Sequence, residues 1–417
     1  MDLSYGADAE EFRARLRGYL QDVLPADWQG YGALGVEDRL AFDERWGAEL
    51  RSTGYFAPAW PKAYGGAELG VLEQAVLLEE FVRRGVPQYT RPNDPFGTML
   101  LGPTLMHWGT DEQKARFFPP TVSGEIRWAQ GYSEPEAGSD LFGLRTHAEL
   151  DGDEWVINGS KIWQTAGPTA NWIFALVRTD PAAERSRGIS FMLIDAQQPG
   201  VEIRGIRNMA DEVEFSEVFF TDARTPVENV LGGVGNGARV ALTLLGFERG
   251  AGGIAAAASS RVELDRLTQL ARAQGVLEDP VIRQRIAECH SRVQTMFVLG
   301  LKALAAGATG APPGPESSFT KLMGSEYHKL VTELAIDILG RDALVWEGAD
   351  SVAGLGAQPL GLDPLSAHAW IDDFLHARPG TVYGGSSEIQ RNTIAEQLLG
   401  LPREQRGAGA ATKEAVR

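Results

Sequence analysis

The chain has 417 residues, 43% hydrophobic and 23% charged, the balance of a globular protein long enough for two or three domains with a large core. Its formal charge of -17 argues against nucleic acid or an anionic membrane surface as a main partner, and an anionic ligand would need locally placed cations. A single cysteine, Cys289, excludes an internal disulfide and fits a reducing cytoplasm, and no apolar run has membrane-spanning length, so the chain reads as soluble and cytoplasmic.

Residues 1–125 read as a helical domain. Phe12, Leu16, Tyr19 and Leu20, then Leu40, Trp46 and Leu50, then Val76, Leu77 and Phe81 recur at helical spacing and predict helices packed on one another. Pro58, Pro61, Gly65 and Gly66 mark a connecting loop, and Pro92, Pro95, Gly97 and Pro103 an irregular turn before a helix ending at Lys114 to Phe118. Across 126–232 the period changes to two. Strands 147–150 and 154–157 flank Asp151-Gly152-Asp153, a hairpin signal because Asp-Gly supplies the positive φ of a tight turn. Further strands are expected at 172–177, 189–194 and 218–220. Within 231–238, Gly233, Gly235 and Ala238 can be laid on a dinucleotide-binding fingerprint, but no second strand follows, which favours a turn entering a helix.

Residues 233–402 return to helical spacing. Helical pattern covers 240–302, where Gly250, Gly252, Gly253 and Ala255 to Ala258 permit close helix approach, then 317–339 and 368–376. Gly348 to Pro364 reads as a long loop, Arg378-Pro379-Gly380 as a break, Ile394 to Leu399 as the end of the last helix, and 403–417 as a mobile tail. The six histidines, His107, His328 and His376 among them, show no metal-ligand spacing, so no metal is expected.

Two stretches hold polar and aromatic residues that packing does not require. Gln130-Gly131-Tyr132-Ser133-Glu134-Pro135 runs into Glu136-Ala137-Gly138-Ser139-Asp140, a small-residue loop whose N–H groups can approach a polar ligand. Lys161 to Thr165 alternates as a strand does and places Trp163 and Thr165 on one face. An indole beside a hydroxyl suits a flat heteroaromatic ring; the same pair also suits a hairpin with a buried Trp and a surface Thr.

These two stretches, in this order and spacing, resemble the flavin-binding middle domain of the acyl-CoA dehydrogenases. Trp60 to Gly66, Gly109 to Lys114, Glu217 to Phe220 and Tyr383 to Arg391 resemble further landmarks of that family. The resemblance implies an α+β fold: an N-terminal all-α domain (1–125), a middle β-barrel or sandwich domain (126–232) and a C-terminal four-helix-bundle domain (233–402). It also implies FAD and desaturation of an acyl thioester between its α and β carbons. A carboxylate takes the α proton and a hydride leaves the β carbon for flavin N5, which calls for a base of raised pKa and hydrogen bonds to the thioester oxygen.

Many members carry the base directly after the tyrosine matching Tyr383, where this chain has Gly384. Isovaleryl-type and long-chain-type members carry it on an internal helix before an arginine, matched here by Glu248-Arg249. Glu248 is the expected base. Its neighbours Leu244, Leu245 and Phe247 would raise its pKa by desolvation, whereas Arg249 would lower it or serve the substrate; the competing reading is an exposed Glu-Arg pair. The resemblance further assigns Tyr132 and Ser133 to the pyrimidine edge, with Gln130 at the start of the same contact loop, Trp163 to cover the isoalloxazine, Thr165 near N5, Ser139 to the pantetheine or flavin, the Gly384 N–H to the thioester oxygen, and Ser386 and Glu388 to the adenosine end. For Ser386 and Glu388 an N-cap and a first-turn acid serve equally. The chain departs from the family at Glu136, at Asp337 with Gly340-Arg341, and at a missing Arg-x-x-Phe-Gly element whose nearest candidate is Arg272. Implied partners are an acyl thioester of coenzyme A or a carrier protein, an electron-transfer flavoprotein, and further copies or a paralogous subunit in a dimer or tetramer. Two alternatives are a subunit of a mixed oligomer with an incomplete flavin site, and a flavin oxidase on the same fold.

Overall fold

The structure is a computed structural model, which describes residues 5–183, 185–248, 252–309, 314–345 and 361–402. The N-terminal segment forms α1 (Ala7–Val23), α2 (Val36–Ser52), α3 (Val71–Arg84), α4 (Gly102–Trp108) and α5 (Asp111–Ser123). Phe12, Leu16 and Leu20 of α1, Trp46 and Leu50 of α2, and Val76, Leu77 and Phe81 of α3 meet in one core, as their spacing predicts. A buried ionic bridge adds direction: the Arg13 guanidinium lies 2.9 Å from Glu79 and 2.7 Å from Glu80, joining α1 to α3.

Leu40 corrects the expectation for α2, because it is 66% exposed. The inward position one turn before Trp46 belongs to Phe42, which stacks between Trp28 and Trp46. The Pro- and Gly-rich stretch expected to be an irregular turn is instead a π-helical run, Phe96–Leu101, that continues into α4. Helix α5 opens on a reciprocal cap between Thr110 and Gln113 and runs past Phe118 through Pro119 and Pro120.

The middle segment is one eight-stranded sheet: β1 (Trp128–Gly131), β2 (His147–Asp151), β3 (Glu154–Ile162), β4 (Trp172–Arg178), β5 (Ile189–Asp195), β6 (Val201–Ile206), β7 (Phe215–Pro226) and β8 (Val230–Leu231). Its order is β6-β7-β3-β2-β4-β5-β8, with β1 parallel beside β4. The β2–β3 hairpin turns at Gly152, whose φ of 66° an L side chain adopts only with strain.

Alternation sets the two faces of the sheet. Phe174, Leu176, Phe191 and Leu193 join the core of the N-terminal helices. Ile173, Ala175, Met192 and Ile194 pack instead with Trp155, Ile157, Val218 and Phe220 of β3 and β7, so the sheet curls around its second apolar face. Along the chain this β segment lies between two helical ones, as the change of period predicts.

The C-terminal segment comprises α6 (Gly237–Glu248), α7 (Gly252–Ala273), α8 (Pro280–Ala308), α9 (Ser317–Leu339), α10 (Ala367–Ala377) and α11 (Ser387–Thr393). Helices α7 to α10 share a core of Leu264, Leu267, Val293, Met296, Val331, Leu334 and Trp370. Helices α7 and α8 touch at Gly253 and Gly300, where a Cβ on Gly300 would lie 3.1 Å from the Gly253 backbone. The stretch 231–238 is a turn into α6, as expected, and no strand follows it among the described residues. Most of the expected loop at 348–364 and the tail at 403–417 lie outside the described residues. No described helix is long and apolar enough to cross a membrane.

Candidate active site

The loop after β1 and the end of β3 are joined through a buried cation. The Lys161 ammonium, on the inward parity of β3 set by Trp155 and Ile157, lies 2.8 Å from Glu134 and donates to the Tyr132 carbonyl at 3.2 Å. Glu134 also accepts from the Arg145 N–H at 2.6 Å and the Thr146 N–H at 2.9 Å. Burial pulls the Lys161 pKa down to about 8 against the attraction of Glu134. Burial works against the Glu134 anion too, but Lys161 and the backbone donors outweigh it and hold the carboxyl below its usual range. Asn93 braces the same region from the helical layer, donating to the Trp128 and Ala166 carbonyls at 3.1 and 3.0 Å.

Strand β3 stops at Ile162 instead of running to Thr165. Trp163 lies in the left-handed region, φ 67°, a conformation that costs a non-glycine residue roughly 1–3 kcal/mol. The inward and outward alternation survives because Gln164 exchanges backbone hydrogen bonds with Ser216 of β7 at 3.1 and 3.2 Å. Gln164 is buried, Thr165 half-buried and Trp163 58% exposed. The reading of a buried Trp is therefore wrong. A strained backbone holding an indole in the open, edge-on to Phe215, is the arrangement of a cover for a flat ligand.

Gln130 and Ser133 are half-buried beside this segment, with the Ser133 carbonyl accepting from the Ile162 N–H at 3.0 Å. Tyr132 differs, since its ring is buried edge-on against Phe174 and Phe191 and belongs to the core. Ser139 is exposed on the loop, where Glu136 pairs with Arg145. The exposed indole with the Ser133 and Thr165 hydroxyls fits the isoalloxazine of FAD, whose ring needs an apolar face and a hydrogen-bonded edge. Trp163→Ala is expected to weaken FAD retention on dialysis by roughly 5- to 150-fold, the effect of about 1–3 kcal/mol of stacking; unchanged retention would remove Trp163 from the site.

The C-terminal contributors lie on the segment after α10. Gly384 is exposed with φ 62°, and its carbonyl accepts from Gln390 Nε2 at 2.9 Å. Lys321 of α9 holds the same bend through the Gly380 and Gly385 carbonyls at 2.9 and 2.8 Å. Ser386 caps α11 by accepting from the Ile389 N–H at 3.3 Å, and Glu388 is an exposed first-turn acid beside Arg391. Hydrogen bonds from its own N–H and from Ser386 hold the Glu388 carboxyl below its usual range. The cap and first-turn reading thus accounts for both side chains. Arg272 is exposed in the last turn of α7, Arg341 is exposed after α9, and Asp337 is paired with Arg285 at 2.6 Å.

Glu248 is the last residue of α6, and its side chain, like the whole of Arg249, lies outside the described residues. The helix beneath it is fixed: Leu244 is buried, and the Trp108 Nε1–H donates to the Thr243 hydroxyl at 3.1 Å.

The sequence reading missed three features here. Lys161 carries a signal, a lysine on the apolar parity of a strand. Asn93 carries none. Glu212, Glu214 and His376 bring ligand-type atoms within 4.8 Å of one another, yet 162 residues separate the last two.

Family models of the N-terminal, middle and C-terminal domains of acyl-CoA dehydrogenase match residues 6–125, 129–223 and 235–399. The chain is 38% identical over 404 residues to acyl-CoA dehydrogenase IpdE1 of Mycobacterium tuberculosis, covering 96% of this chain and 100% of that one. Among solved structures it resembles one described as the Tcur3481-Tcur3483 steroid ACAD, with 34% identity, a TM-score of 0.75, and 97% and 100% of the two chains covered. It also resembles the ChsE4-ChsE5 complex of Mycobacterium tuberculosis, with 27% identity, a TM-score of 0.77 and the same coverage. With all three domains matched, and with close full-length relatives that are acyl-CoA dehydrogenases, the chain belongs to the acyl-CoA dehydrogenase family and is an oxidoreductase of acyl-CoA thioesters.

Proposed function

We propose that Glu248 removes the α proton of a coenzyme A thioester held between the β layer and the C-terminal helices, with domain boundaries near 125/126 and 232/233. FAD, when bound, supplies the acceptor for the hydride leaving the β carbon. The chain's own residues do the rest. Trp163 covers one edge of the ring system, Thr165 and Ser133 offer hydroxyls to its rim, Gln130 and the Tyr132 backbone complete that wall, and Ser139 lies on the route of the pantetheine. The Gly384 N–H donates to the thioester oxygen, where negative charge grows as the α proton leaves. Arg249 serves the anionic substrate. Arg272, Ser386 and Glu388 serve the adenosine end.

The observation that carries this reading is the exposed, left-handed Trp163 beside the half-buried Thr165. The named relatives favour dehydrogenation over a subunit without catalysis and over an oxidase. Two similar structures are described as paired chains, which supports assembly with a paralogous subunit, and one is described as a steroid enzyme, which supports a bulky polycyclic acyl group. An electron-transfer flavoprotein as acceptor and a cytoplasmic setting complete the proposal, the latter supported by the single, buried cysteine.

The test is spectroscopic. The purified chain, alone and with a candidate partner subunit, is expected to hold yellow flavin that bleaches anaerobically with one class in a panel of acyl-CoA esters of rising length, branching and ring content. A colourless protein that no FAD restores, or flavin that no ester bleaches, would sink the reading. Hydrogen peroxide formed at the bleaching rate with oxygen as sole acceptor would move it to an oxidase.

A further inference from the structure

His376 stands in the last turn of α10, buried, with both ring nitrogens engaged. Nδ1 is 2.9 Å from the Asp372 carbonyl oxygen and Nε2 is 2.9 Å from a Glu212 carboxylate oxygen. A carbonyl and an ionised carboxylate both accept, so this geometry suits an imidazolium, which donates from both nitrogens. Its carboxylate partner lies on the β6–β7 connection, which is stitched to the flavin wall: the Glu214 carbonyl accepts from the Ala166 N–H at 2.9 Å, and Ser216 exchanges hydrogen bonds with Gln164. Two residues beyond His376, Arg378 ties the chain to α9 through Glu333 at 2.6 Å, and Lys321 holds the bend at Gly380 and Gly385. His376 thus links the helix leading to Gly384, through the β6–β7 connection, to the segment that carries Trp163 and Thr165.

We infer that His376 is a positioning residue, a charged latch that fixes the Gly384 side of the flavin site against the Trp163 side. This rests on the assignment of that cleft to FAD. Other charges around the ring are matched in pairs: on its own helix Asp372 faces His368, and Asp373 pairs with Arg266 of α7; on α9, His328 pairs with Glu263 and Glu333 with Arg378. Glu212 and Glu214 are the acids of the facing loop. Burial pulls the imidazolium pKa down, but the hydrogen bonds to Glu212 and the Asp372 carbonyl and the nearby Glu214 outweigh it and raise it above the ordinary histidine value. The sign follows: the latch is complete below about pH 6.5, where unfolded histidine also titrates, and is lost as pH rises through the higher folded value.

The experiment measures FAD retained after equilibrium dialysis of the purified protein from pH 6 to 9, with hydrogen exchange of residues 207–216 recorded in parallel. Wild type is expected to lose roughly tenfold in FAD affinity across the range, the scale of one charged hydrogen bond. His376→Gln and Glu212→Gln should start weaker and fall less than wild type, keeping only the drop that Lys161, its pKa pulled down to about 8, gives every variant, and His376→Lys, which keeps a cation, should restore affinity at the alkaline end. Profiles of both glutamine variants superimposed on wild type would overturn the latch. Should His376→Gln fail to fold, Glu212→Gln, altered on a half-buried loop residue, carries the comparison. Should wild type take up no FAD at any pH, the flavin assignment falls and exchange alone decides: protection of 207–216 that fades with pH in wild type but not in Glu212→Gln supports the latch, and equal behaviour overturns it. Zinc chloride alone is expected to change nothing; stabilisation by zinc that EDTA reverses and His376→Gln abolishes would put a metal where we place the proton.

Discussion

Glu248→Gln is expected to keep its flavin and lose the reaction, with the rate of anaerobic bleaching by a good acyl-CoA ester falling about 10²- to 10⁴-fold. An amide has nearly the shape of the carboxylate and no basicity, so flavin binding and the visible spectrum should stay as they are. The position has physical grounds beyond resemblance. The alternative site for a base holds Gly384, which carries no titratable group. Glu248 ends a helix on which Leu244, one turn earlier, is fully buried. Bleaching of the variant at the wild-type rate would take Glu248 out of the mechanism, and loss of flavin together with activity would show a structural role instead.

Lys161→Met should cost the fold about 3–5 kcal/mol, because it leaves the Glu134 carboxylate buried without its cation. The methionine fills the volume, so the loss measures charge and not a cavity. Glu134→Gln should cost less, since Lys161, its pKa already pulled down to about 8, can shed its proton, and the amide oxygen keeps one of the two N–H groups, Arg145 or Thr146, that the carboxylate held on separate oxygens. Urea unfolding followed by tryptophan fluorescence measures both variants. A loss below about 1 kcal/mol for Lys161→Met would mean that water reaches the pair and that Lys161 does not hold the loop against β3. Because that loop carries Ser133, flavin retention should fall alongside stability.

Much of this protein is written locally. Helical spacing at Phe12, Leu16 and Leu20, alternation along β4 and β5, and Asp-Gly at 151–152 each depend on neighbours a few residues apart, and the structure follows them. The failures are local too, and each has a local cause. Leu40 fits an inward spacing, yet Phe42 has the better parity with Trp46, and prolines at 92, 95 and 103 read as a turn where the chain widens into a π-helical run.

The candidate site divides in the same way. The elements proposed to face the flavin are legible because Trp163, Thr165 and the 130–140 loop stand in contiguous motifs. That Trp163 leaves the strand with positive φ, that Tyr132 turns into the core, and that Lys161 finds Glu134 could not be read there. Each depends on a partner brought in by β-sheet register or burial. The His376–Glu212 contact is the extreme case, with 164 residues between its ends and no periodicity to announce it. Short-range pattern determined the elements and the order of the layers, because hydrophobic spacing acts within one turn or one pleat. Only the packed tertiary structure decided which charges meet, because desolvation makes such pairs costly or stabilising only after distant segments have closed over them.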